Sequence, residues 1–125
     1  MDPISHIAFV YILAMGNIDL WFILGAVAPD IDKIFTYRHG KFRGHESRTI
    51  VHELPVAALL VGISILINNG LCLGLISHYV LDFILGESKP FHPFFENIVD
   101  FNLELKYKIA IGAGLWLTGG LLAII

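Results

Sequence analysis

The chain has 125 residues, 56% of them hydrophobic, with a mean hydropathy of +0.74 and a formal net charge of −3. That length allows one domain at most, taken as residues 1–125, and the apolar content is too high for an ordinary soluble domain, so membrane spans are expected. The negative charge gives no case for nucleic acid as a partner, and a single cysteine, Cys72, excludes an intrachain disulfide and a cysteine-based zinc cluster.

Two apolar pieces come first, "ISHIAFVYILAM" and "IDLWFILGAVA", separated by "GNID". Each is too short to span a bilayer comfortably. They read as a helical hairpin that turns near residues 17–18 and is ended by Pro29; one kinked span is the competing reading. The N-terminus has neither the basic region nor the small-residue cleavage site of a signal peptide, so this segment is expected to stay on the mature protein. Residues 54–67 and 71–85 are the next apolar segments, joined by the Asn-Asn-Gly turn signal, and predict two antiparallel spans. A third span is expected from Lys108 to Ile125, where Gly and Ala residues would let a neighbouring helix approach closely. The expected fold is all-α: an integral membrane helical bundle of an N-terminal helical hairpin plus three transmembrane helices. The small-residue face of the last span makes a homo-oligomer the expected assembly.

The cations orient this bundle. Lys33, Arg38, Lys41, Arg43 and Arg48 fall in one loop, and Lys89, Lys106 and Lys108 around a second, whereas the turns at Asn17 and Asn68–Gly70 carry none. Both basic loops lie on one face, which the positive-inside rule makes cytoplasmic. The expected location is therefore the inner (cytoplasmic) membrane, multi-pass, with membrane lipid as a partner.

The ionisable residues converge on that face. His78 and Asp82 in "GLISHYVLDFIL" are four residues apart, hence on one side of a helix, and such a pair inside a span usually faces the bundle interior and has a function. A hairpin brings His6 to Asp30, and "GAVAPDIDK" adds Asp32. Carboxylates beside imidazoles suit zinc, manganese or iron better than calcium. A bound ion would also neutralise Asp82 and keep His78 in its lone-pair-donating form. In "RTIVHELP", His52 precedes Glu53, which is placed either to accept a proton from a metal-bound water or to stabilise the helix N-terminus. Arg48 is placed to orient an anionic substrate, or to serve as an inside-facing topology charge.

A histidine near the N-terminus, "GAVAPDID", an Arg/His segment, "GLISHYVLD" and "PFHPF", in that order, resemble the LexA-regulated, membrane-bound metal-dependent hydrolases, the YdjM-like family. The resemblance covers roughly residues 5–95; more distantly, the order of residues is similar to the zinc-dependent phospholipase C and nuclease group. It implies His6, Asp30, His52, His78 and Asp82 as metal ligands, with His45 and His92 as further candidates, and places Asp32 on the second Asp of the family's Pro-Asp-x-Asp. "HESRTIVHELP" departs from the family's compact His-Arg-Gly…Thr-His-Ser motif, with Glu53 where the family has Ser. Asp32 and Glu53 are the candidate catalytic residues and Arg48 the candidate substrate-binding residue. The implied activity is hydrolysis of a phosphoester, with two or more ions, zinc first; the membrane location suggests an amphiphilic, lipid-like substrate. Two other classes fit the same residues: a non-catalytic metal-binding protein, and a metal-ion or proton carrier using His78 and Asp82 as relay groups. Little polarity beyond Ser64 and Thr118 reaches the outer halves of the spans, which argues against the carrier.

Overall fold

The computed structural model of the chain describes residues 3–38, 50–85 and 103–125. They form helices and turns, with no strand among the described residues, which is the all-α class expected.

Helix α1, Pro3–Leu13, ends where Met15 and Gly16 take left-handed φ values of 50° and 79°. The Gly16 N–H donates back to the Tyr11 carbonyl at 2.9 Å and the Met15 N–H to Ile12 at 3.0 Å, satisfying the last carbonyls of the helix. Asp19 then caps α2, Leu20–Val27, its carboxylate accepting the N–H groups of Trp21 at 2.9 Å and Phe22 at 3.2 Å. The two N-terminal apolar pieces are thus separate helices joined by a capped turn.

Pro29 does not end this region, contrary to expectation. The chain passes through one 3₁₀ turn, Ala28–Asp30, and resumes helix as α3, Ile31–Arg38. Proline is compatible with the first positions of a helical turn, where its missing N–H has no partner to lose. Lys33 and Arg38 therefore lie on a helix rather than in a loop.

A second 3₁₀ turn, Ile50–His52, leads into α4, Leu54–Ile67, with Pro55 in the first turn. Asn68 alone separates α4 from α5, Asn69–Leu85: its backbone is extended, and its Oδ1 accepts the N–H groups of Gly70 at 2.7 Å and Leu71 at 3.3 Å. The last helix, α6, is Leu105–Ile124.

The helices α2 and α5 cross backbone to backbone. A Cβ on Gly25 would lie 2.9 Å from Gly74 Cα, and one on Gly74 would lie 2.9 Å from Gly25 Cα, so neither position admits a side chain. On the other flank α6 packs along α1: the Trp116 indole N–H donates to Ser5 Oγ at 3.0 Å, and Gly119 lies against Ala8.

Among the described residues only α6 is long and apolar enough to cross a membrane. The 14 residues of α4 and 17 of α5 reach about 21 Å and 26 Å at the helical rise, short of a ~30 Å hydrocarbon core without their flanks. Burial is inverted relative to a water-soluble bundle. Ser5, His6, Asp30, Ser64, Ser77, His78 and Asp82 are buried, while Leu66, Trp116, Leu117, Leu121 and many other large apolar side chains face outward.

Candidate metal centre

Five of the sequence-predicted residues meet at one point. His6 comes from α1, Asp30 from the 3₁₀ turn after α2, His52 from the 3₁₀ turn before α4, and His78 and Asp82 from one side of α5. His6 and His78 are fully buried, and the side chains of Asp30 and Asp82 are only 3% and 4% exposed. His6, Asp30, His78 and Asp82 form a buried group able to hold a metal ion, each offering a ligand atom within 4.8 Å of the others.

Hydrogen bonds at the periphery fix the rings. The His78 Nδ1–H donates to the Ala26 carbonyl at 2.7 Å, and the His52 Nδ1–H to Asp32 Oδ2 at 3.0 Å. A carbonyl and a carboxylate can only accept, so Nδ1 is the protonated nitrogen in both rings and Nε2 of the neutral ring carries the lone pair. Those two Nε2 atoms face each other at 3.3 Å. Two lone pairs at that distance repel unless a proton or a metal ion lies between them. His6 adds a third sign: neither ring nitrogen makes a hydrogen bond despite full burial, a costly state for a polar group.

The carboxylates divide the cluster into two halves. Asp82 Oδ1 and Asp30 Oδ2 lie 3.3 Å and 3.8 Å from His6 Nε2. The opposite oxygens, Asp30 Oδ1 and Asp82 Oδ2, lie 3.7 Å and 3.5 Å from His52 Nε2, and 3.6 Å and 3.8 Å from His78 Nε2. Ligands bound tetrahedrally at ~2.1 Å stand about 3.4 Å apart, so both halves have the spacing of a coordination shell. The His6 and His78 rings stack at 4.0 Å, which is close to the separation of about 3.5–4 Å between the ions of two-metal sites.

The surrounding charge favours the ionised carboxylate. Burial pushes the Asp30 carboxyl up, but the adjacent His52 and Lys33 outweigh it and hold it down to about 2. Burial likewise disfavours the His52 imidazolium, but Asp30 and Asp32 more than offset this and raise its pKa above the ordinary value.

Asp32 touches the cluster through His52, 20 residues further along the chain. Glu53 is the residue preceding α4, and its side chain makes no capping hydrogen bond there. Arg48, His45 and His92 lie outside the described residues.

Three features carried no signal as ligands in the sequence. The Lys33 ammonium pairs with Asp30, one turn before it on the chain. The Ala26 carbonyl orients His78. Tyr79 sets its ring edge-on to His52 and His78 at centroid distances of 6.2 Å and 5.5 Å, with a buried hydroxyl that makes no hydrogen bond. Position next to His78 in "SHYVLD" was the available sign for Tyr79; the spacing of three from Asp30 becomes one for Lys33 once α3 is known to be helical.

Comparison with family models, with curated proteins and with solved structures returns no match for this chain.

Proposed function

We propose that this protein is a membrane-embedded, metal-dependent hydrolase acting on a phosphoester in an amphiphilic or lipid substrate. The observation that carries the reading is the convergence of three imidazoles and two carboxylates from five segments, with two rings fixed by outer partners so that their Nε2 lone pairs point inward. Outer hydrogen bonds of this kind orient metal ligands and raise their basicity.

The ligands are His6, Asp30, His52, His78 and Asp82, with Asp30 and Asp82 bridging two positions. Zinc suits this donor set best, with manganese and iron as alternatives. A divalent ion there supplies Lewis acidity and a water that ionises near neutral pH. Asp32 positions His52; Glu53, adjacent to His52 in the chain, is the proton acceptor, and Arg48 binds the anionic group. The order of the motifs, similar to that of the YdjM-like hydrolases, supports the same reaction class.

In this reading the protein is a multi-pass protein of the inner membrane. α4 and α5 join α6 in crossing it, the basic segments face the cytoplasm, and the cluster lies toward that side. The polar interior and apolar exterior support this placement, as do the uncharged turns at Asn17 and Asn68.

Detergent-purified protein is tested for bound metal by mass spectrometry and for hydrolysis of phosphatidylglycerol in mixed micelles and of a chromogenic phosphodiester. His78→Ala and Asp82→Ala are expected to lose metal and at least 100-fold in turnover. Bound metal without turnover of either phosphoester would make the protein a non-catalytic metal-binding protein instead.

A further inference from the structure

One lysine lies inside the ligand cluster without belonging to it. Lys33 sits on α3 one turn beyond Asp30, with a side chain only 12% exposed. Its ammonium pairs with Asp30 Oδ1 and stands 3.9 Å from Asp82 Oδ2. These are the two oxygens that, with His52 Nε2 and His78 Nε2, outline the second half of the centre.

We propose that Lys33 is a built-in cation for that second position, so that the centre takes one divalent ion readily on the His6 side and a second only by displacing the ammonium. The inference rests on the metal-binding reading above and specifies how the centre fills. Charge argues for it. Asp30, Asp32 and Asp82 bring three negative charges to the site, which one divalent ion together with Lys33 neutralises. A second divalent ion beside an undisplaced ammonium would leave two uncompensated positive charges in a buried, weakly screened space. Geometry argues for it too, because an ion coordinated by Asp30 Oδ1 and Asp82 Oδ2 needs the lone pairs that the ammonium faces. Without Lys33 this position has the richer donor set, two imidazoles and two carboxylate oxygens against one imidazole and two oxygens on the His6 side.

Zinc stoichiometry and affinity are measured on the detergent-purified full chain by mass spectrometry and chelator competition, for wild type, Lys33→Gln and Lys33→Arg. Wild type is expected to bind one ion tightly and a second at least tenfold more weakly. Lys33→Gln should bind two with comparable affinity, and Lys33→Arg, which keeps the charge, should follow wild type. Lys33→Met, of similar length and no charge, gives the same comparison if the Gln variant does not fold. Identical stoichiometry and affinities in wild type and the neutral variants, whether for one ion or two, overturn the proposal and leave the metal reading intact. No bound zinc in any of the proteins overturns both.

Discussion

Asp32 reaches the centre only through the His52 ring, whose Nδ1–H it accepts at 3.0 Å, leaving Nε2 to face His78. Asp32→Asn is therefore expected to weaken zinc binding by about 10- to 100-fold with an unchanged helical circular dichroism spectrum; chelator competition measures the first and the spectrum the second. The same pair sets a pH dependence. The net effect of Asp30 and Asp32 is to raise the His52 pKa despite its burial, and metal binding requires the neutral ring, so protons compete with metal below that pKa. Zinc affinity should rise with pH and level off above pH 6.5 in wild type, and at a lower pH in Asp32→Asn. Titrations between about pH 5.5 and 8.5 check the sign. Asp30, held near 2, contributes no proton competition in that window. Much of this centre is legible from residues alone. An ionisable pair spaced by one turn inside an apolar run exposes His78 and Asp82, and a hairpin pairs His6 with Asp30 because both are about equally far from its turn. Lys33 is hidden, because a proline read as a stop puts it in a loop, and the Ala26 carbonyl is hidden because a backbone acceptor has no sequence signature.

The helix crossing at Gly25 and Gly74 links packing to the site, since the α2 segment that it holds against α5 ends in the Ala26 carbonyl that orients His78. Gly74→Ala places a methyl group within 2.9 Å of the Ala26 nitrogen and of Gly25 Cα, where the neighbour is backbone and cannot rotate away. It should destabilise by roughly 1–3 kcal/mol and release metal. Gly114→Ala, with nothing within 4 Å of the added methyl, should be neutral or stabilising by up to about 1 kcal/mol. Thermal unfolding in detergent, with metal content measured in parallel, distinguishes the two. Gly74 is visible in the sequence as part of a small-residue stripe, but its partner is not: Gly25 lies in a different apolar segment, and only the packing of α2 on α5 identifies the pair. The extent of α2 is similarly obscured, because proline both ends helices and begins helical turns.

For the whole molecule, the inward-facing polar residues and outward-facing apolar ones lead to a topology test. In a background where Cys72 is replaced by Ala, Asn69→Cys is expected to react with a membrane-impermeant maleimide in intact cells, and Lys106→Cys only after permeabilisation. The reverse pattern would place the basic segments and the centre outside. The shared surface of α1 and α6, fastened by the Trp116–Ser5 hydrogen bond, was not foreseen, because the last segment offers periodic glycines but nothing that names its neighbour.

The order in which the ligands occur along the chain governs how such a protein can be made. His6 is the first to leave the ribosome and Asp82 the last, and Gly74 lies only two turns before Asp82 on the same helix. A nascent chain that has inserted α1 and α2 holds His6 and Asp30 without the residues that complete their surroundings. Metal can be captured only after α5 has been synthesised and has come to rest on Gly25. Loading is then a late step of biogenesis, and an unfinished or truncated chain remains a poorly satisfied membrane segment, open to removal by membrane proteases.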